Sequence, residues 1–303
     1  MTLMSQRRAA TLVELILGIA VAMFVVALSV SHVVRHQRVY DVLAAALDLR
    51  TRLRDGSDIV AADLRGSSPL GDSLLVASDT AVEFYSAIGA STVCASLPPN
   101  RITLPPDTLP SGRTLSSWVV TPDSGDYVVM FVDSAASSGA GWRRARIVSF
   151  SDIATSTGCP ASVGLLSPGD ISAGGRSYEV TFAPTASIDA HRGTPVRIVR
   201  RVRYSIYRGG DGKWYLGYRR CTGGCSAIQP VSGPYESHSG APMSFRYYTS
   251  DGALLLGRGP TGAVRRVDIV SRASYARPVM LPGMIAPLLS ESTAVTVTFR
   301  NRR

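Results

Sequence analysis

The sequence predicts an α+β protein, a long amino-terminal α-helix packed on a mainly antiparallel β-sheet domain. Three observations carry that expectation. From Ala10 to Val34 the chain is apolar apart from one formal charge, Glu14. Helical spacing then continues to Arg65 with no proline and no paired glycines. Beyond Pro69 the period changes to short runs rich in Val, Ile, Tyr and Phe, broken by turn residues.

The first element is the apolar stretch. Arg7 and Arg8 precede it. At ~1.5 Å per residue, about twenty apolar residues span the ~30 Å hydrocarbon layer. The flanking arginines favour a cytoplasmic start, which sends the rest of the chain outward as a single-pass protein. A secretory signal peptide would have a shorter apolar region followed by a small-x-small cleavage site. An ordinary signal anchor fits the length but leaves Glu14 unexplained, because a carboxylate there costs about 2.5–3.5 kcal/mol on insertion scales.

The helix is expected to outrun the membrane. Val39, Val42, Ala46, Leu49, Leu53 and Val60 recur at helical spacing, with Arg38, Asp41, Asp48, Arg52 and Arg54 between them. Gly66-Ser67-Ser68-Pro69 reads as the stop. The chain therefore divides into a leader over 1–9, a helix over 10–65 whose part 10–34 crosses the membrane, and a β-rich domain over 66–303. His32 and His36 lie one turn apart near the membrane boundary. They read as interfacial polar residues rather than a metal pair.

Strands are expected at Ala81–Tyr85, Tyr127–Asp133, Ala145–Phe150 and Tyr178–Phe182. Val196–Tyr207 and Trp214–Arg219 flank Gly209-Gly210-Asp211-Gly212, a hairpin signal. Phe245–Thr249 and Leu254–Leu256 flank Ser250-Asp251-Gly252, a second one. Val264–Ser271 and Val295–Arg300 are the expected closing strands. Most connections are short, which favours antiparallel pairing.

Composition narrows the function. Charged residues make up only 18% of the chain, and Gly, Ser, Thr and Pro are abundant. That suits an exported, loop-rich β domain better than a cytosolic enzyme. The formal charge of +10 invites a nucleic-acid reading. Yet Lys213 is the single lysine, and a surplus of Arg, Ala, Gly and Val with lysine nearly absent is the mark of GC-rich coding sequence. Basic residues are densest from Arg192 to Arg220, where Asp211 is the one acid. There Arg197, Arg201, Arg203, Arg208 and Arg219 alternate with apolar residues, as on an outward strand face. A solvated face is the reading adopted, with an anion- or DNA-binding face as its alternative.

The four cysteines permit two disulfides in an exported chain. Thr222-Gly223-Gly224 allows a tight local bridge between Cys221 and Cys225, with Cys94–Cys159 as the second. Four cysteines allow three connectivities, and spacing alone does not choose among them. Neither a Cys-x-x-Cys nor a histidine at zinc-ligand spacing is present, so no metal site is expected. Gly71-Asp72-Ser73-Leu74 spells the nucleophile motif of GDSL esterases. Its base is missing: Asp189-Ala190-His191 has the wrong spacing, and no Asp stands three residues before His238. A turn into a strand is the plainer reading. Gly209–Gly212 has too few carboxylates around it for a calcium loop. No catalytic residue and no cofactor is expected.

One segment matches a known pattern. Ala9-Ala10-Thr11-Leu12-Val13-Glu14-Leu15 follows a short basic leader and opens the apolar helix. It resembles the type III signal of type IV prepilins, usually Gly-Phe-Thr-Leu-Val-Glu-Leu. The resemblance implies cleavage by a prepilin peptidase between Ala9 and Ala10, often followed by methylation of the new amine. Here Ala9 replaces the usual Gly and Ala10 the usual Phe. It also implies that Glu14 pairs with the amine of a neighbouring subunit, since a buried opposite-charge pair offsets desolvation that one charge alone could not. In the carboxyl half, Val202–Tyr207, Trp214–Arg220, Phe245–Tyr248, Val264–Ile269 and Val297–Arg302 follow in an order similar to PilW-type minor pilins and J-type minor pseudopilins of type II secretion. Residues 70–196 resemble nothing known.

What the resemblance implies is a subunit of the bacterial inner membrane with its carboxyl domain in the periplasm. The subunit would join or prime a type IV pilus or a type II secretion pseudopilus. Implied partners are the prepilin peptidase, other pilins or pseudopilins, and inner-membrane lipid. A pilus-tip adhesin or DNA-uptake pilin using the arginine-rich surface is the alternative, and a membrane-anchored esterase at Ser73 a further one.

Overall fold

The computed structural model describes residues 12–67, 74–132, 141–183, 190–235, 240–255, 261–274 and 290–299. Helix α1 runs Leu12–Arg65 and ends where Gly66 and Ser67 turn the chain. The β strands follow as β1 (Leu74–Ala77), β2 (Ala81–Thr92), β3 (Ala95–Leu97), β4 (Arg101–Leu104), β5 (Ser117–Trp118), β6 (Tyr127–Val132) and β7 (Gly141–Ala154). After two short α-helices comes β8 (Arg176–Phe182), then β9 (Pro195–Arg208), β10 (Trp214–Arg220) and β11 (Gln229–Tyr235). The last four are β12 (Met243–Tyr248), β13 (Leu254–Leu255), β14 (Arg266–Ser274) and β15 (Ser290–Thr298). The architecture is the α+β arrangement expected, and every strand pair is antiparallel.

Both hairpin signals act as read. Gly209–Gly212 joins β9 to β10 with Trp214 opposite Arg208, and Ser250–Gly252 joins β12 to β13 with Tyr248 opposite Leu254. Several strands run longer than their apolar runs, because β2, β7 and β9 each serve more than one partner along their length. Strand β11 escapes a pattern search for a different reason. Its sequence, QPVSGPY, carries two prolines and a glycine, yet among the described residues it pairs only with β10, and an edge strand tolerates missing N–H donors.

The larger sheet runs β1-β2-β9-β6-β7-β8-β4-β3, with β5 on β2 and with β10 and β11 branching from β9. The smaller sheet is β13-β12-β14-β15. The second half of α1 lies against both. Leu49, Leu53, Gly56, Ser57, Val60, Ala61 and Leu64 are its buried residues, a stripe at three- and four-residue spacing. They share one core with Phe84 of β2, Val202 of β9, Leu216 of β10, Phe245 of β12 and Ile269 of β14. Leu53, Val60 and Leu64 are wholly buried, and each such side chain stabilises by roughly 1.5–3 kcal/mol. A second core lies further from the helix, between β4, β6, β7, β8 and β9, around Ile102, Met130, Ile147, Phe182 and Ile198.

Candidate functional site

The two halves of α1 meet opposite environments. No residue of the helix before Leu49 is buried. Large apolar side chains stand open along the first half, from Leu12 at 74% exposure through Phe24 at 65% to Val33 at 54%. An 18-residue window there has mean hydropathy 2.6, and among the described residues this is the one helix long and apolar enough to cross a membrane. Two serine hydroxyls in the stretch bond back to the helix itself. Ser29 Oγ donates to the Val25 carbonyl and Ser31 Oγ to the Leu28 carbonyl, each at 2.8 Å. A hydroxyl satisfied this way costs little in an apolar medium.

Glu14 lies in the first turn of α1, on the exposed half. A carboxylate there faces the positive end of the helix dipole. Ala9 and Ala10 lie outside the described residues. His32 and His36 come edge to face on the exposed surface, their Nε2 atoms 3.1 Å apart, just before Arg35 and Arg38.

Polar contacts fix the other half of α1 to the domain. The Tyr204 hydroxyl donates to Asp63 Oδ2 at 2.6 Å. Burial pushes the Asp63 carboxyl above its ordinary range, and the hydroxyls of Tyr204 and Ser86 pull part of the way back. Burial and the nearby Asp63 charge push the Tyr204 phenol up in turn. Ser57 Oγ meets Ser271 Oγ of β14 at 2.7 Å. Tyr235 donates to Ser232 Oγ at 2.6 Å, and Ser232 donates to the Arg52 carbonyl at 3.2 Å. Arg50 meets Glu291 of β15 at 3.0 Å, an exposed pair of small energetic weight.

Strand β9 is the hinge of the larger sheet. One edge pairs with β2 from Pro195 to Ser205. The other pairs first with β6, Val196 to Val199, and then with β10, Val202 to Arg208. At the gap between them Arg200 turns inward and grips Asp126 through two bonds of 2.9 and 2.7 Å. Asp126 is wholly buried and Arg200 nearly so. The Asp126 carboxylate holds the Arg200 guanidinium charged against its burial. Arg220 adds contacts to Asp123 at 3.1 Å and Asp126 at 3.6 Å. The Ser124 backbone N–H, followed by Arg220, holds Asp123 below its ordinary range. Sequence reading passed over Arg200 because nothing in a run of arginines marks the one that faces a gap.

The structure joins Cys221 to Cys225, with Cα atoms 3.8 Å apart, closer than the ~5.5 Å typical of disulfides. The Cys221 N–H donates to the Arg201 carbonyl beside the same gap. Cys94 is joined to Cys159 across 65 residues, in a buried cluster with Leu109 and Leu166. Glu83, Cys221 and Cys225 bring three potential metal-ligand atoms within 4.8 Å. Both sulfurs are spent in the disulfide, and the carboxylate faces Arg201 and Arg203. That donor set therefore has nothing left for a cation.

Ser73 and Asp189 of the esterase reading lie outside the described residues. Asp211 of the supposed calcium loop accepts from the Tyr215 hydroxyl at 2.8 Å and the Lys213 N–H at 3.1 Å, as a turn residue does. No family model, no curated protein and no solved structure matches this chain.

Proposed function

We propose that this chain is a filament subunit of the type IV prepilin kind, held in a membrane by the first half of α1 and assembled through it. The observation that carries the reading is the continuity of α1. One helix is docked in a core over its second half and bare and apolar over its first. Each exposed large apolar side chain gains roughly 1.5–3 kcal/mol on leaving water, so the first half needs an apolar surrounding.

Lipid and a bundle of neighbouring helices both meet that need, and apolar burial hardly distinguishes them. Polar groups must therefore set the direction of transfer. In lipid Glu14 carries a cost of about 2.5–3.5 kcal/mol. In an assembly it would meet the amine left at Ala10 of a neighbour, and the pair would remove much of that cost. The domain, fixed to the second half of α1, would ride outward on the filament surface. Prepilin peptidase and other pilins or pseudopilins are the partners this reading requires.

Amino-terminal sequencing of membrane-extracted protein should find the mature chain starting at Ala10. A start at Met1, or one after the apolar run near Val34, overturns the reading. Glu14→Ala should insert in the membrane as well as the parent or better, yet reach sheared filaments poorly. Immunolabelling that finds normal incorporation rules out the charge pairing.

A further inference from the structure

We propose that the outer face of the larger sheet, where β2, β9, β6, β7 and β10 lie side by side, binds single-stranded nucleic acid without sequence preference. The register brings the residues together. Directly opposed residues of an antiparallel pair share a face. Arg203 is opposite Glu83 on one side and Arg219 on the other, and Arg201 is opposite Tyr85. Val129 is opposite both Arg197 and Arg144, and Tyr127 is opposite Arg146. Strands far apart in sequence thus pool their arginines on one surface, and the β7 pair joins those of β9 and β10. The one carboxylate these pairings place among them is Glu83, itself 2% exposed beneath Arg201 and Arg203.

Aromatic rings interleave with the charges. The Arg144 guanidinium lies over the Tyr85 ring at 4.1 Å and near Tyr127 at 5.6 Å, and Arg197 lies 5.7 Å over Trp142. Trp142 meets Phe131 edge to face at 5.7 Å, and Phe131 is 38% exposed. Beneath them Tyr85, Val129 and Val199 are buried in a cluster drawn only from β1, β2, β6, β7 and β9. Arginine stems and ring faces cover that apolar floor, which leaves the guanidinium groups outermost. At the far end Asp211, held by Tyr215, puts a negative charge past Arg203 and bounds the strip.

This chemistry selects the occupant. An arginine-rich strip whose one carboxylate in these pairings, Glu83, is already met by Arg201 and Arg203 calls for a polyanion. Planar guanidinium forks suit phosphate, and exposed rings beside them suit stacked bases. A strip of guanidinium forks and rings laid along a sheet surface tracks a single strand better than it enters a duplex groove. The inference stands whether or not the chain assembles into filaments.

The test uses the full chain in neutral-lipid nanodiscs and a fluorescent mixed-sequence DNA oligonucleotide. With about four phosphates neutralised, the plot of log K against log salt should have a slope near −3. Arg144→Gln/Arg146→Gln/Arg197→Gln should make it shallower by about 2 and weaken binding at least ~tenfold at low salt. Arg113→Gln/Arg176→Gln/Arg192→Gln removes equal charge elsewhere and should change neither much. Phe131→Ala/Trp142→Ala should weaken binding several-fold while leaving the slope alone. Photo-cross-linking of a halogenated oligonucleotide to the parent protein should label peptides containing Phe131 or Trp142, a readout independent of how the variants fold. Equal loss in both triple variants, cross-links elsewhere, or an acidic polysaccharide that displaces the oligonucleotide and ignores the aromatic variant would each overturn the proposal.

Discussion

Asp63 stands at the seam between α1 and β9, where the Tyr204 hydroxyl donates to it at 2.6 Å. Burial raises its pKa, so the folded state holds the Asp63 proton more tightly than the unfolded one. The sign follows by linkage. The contribution of Asp63 is fully present below its ordinary value of 3.8 and is lost as pH rises through the raised folded value. Asp63→Asn keeps an acceptor for Tyr204 and removes the titration. Its stability relative to the parent, followed by urea unfolding, should therefore improve as pH climbs from below 3.8 towards neutrality. Tyr204→Phe withdraws the donor and leaves the carboxylate in place. It should cost about 1.5–3 kcal/mol at neutral pH, and less in acid, where Asp63 is protonated. A parent-like profile for both variants would show that the contact carries no weight. Neither residue stands out in the sequence. A tyrosine in a strand and an aspartate late in a helix acquire a role only when packing brings them across 141 residues.

At the scale of elements, α1 owes its docking angle to one missing side chain. A Cβ at Gly56 would run into the Tyr235 hydroxyl and crowd Ser232 of β11. On an open helix face Gly→Ala gains about 0.8–1 kcal/mol. Here Gly56→Ala should instead destabilise by about 1–3 kcal/mol through overpacking. Gly56→Ala/Tyr235→Phe, which removes the obstructing oxygen, should recover part of the loss in the same thermal melts. The disulfides differ by loop length. Chain entropy assigns about 4 kcal/mol to a loop of 65 residues and about 2 kcal/mol to one of 4. Replacing Cys94 and Cys159 by alanine should therefore lower Tm more than replacing Cys221 and Cys225 by serine. The reverse order would show that the short bridge fixes more than its own loop. Helix length was legible because a stop motif interrupts a clear period at Gly66. Strand β11 was not, because an edge strand need not be apolar or free of proline.

For the whole molecule, the division within α1 makes a direct prediction. Among the described residues none ahead of Leu49 is buried, so a chain beginning at Arg35 should keep the Tm of the parent domain. The same chain should lose flotation with lipid vesicles, since the apolar window is gone. A large fall in Tm would mean that the first half of α1 supports the fold. The sequence by itself determined the things that depend on local pattern. These are a helix from the apolar run to Arg65, strands beyond it and two hairpins. Each follows from spacing or turn chemistry confined to neighbouring residues. Only the tertiary structure decided which arginine turns inward to Asp126 and which arginines share an outer face with Trp142. It also decided that α1 lies against two sheets rather than one. The physical reason is that strand order and register are set by contacts between segments distant in the chain. A period-two pattern tells which residues of one strand share a side, but not which strand lies next to it.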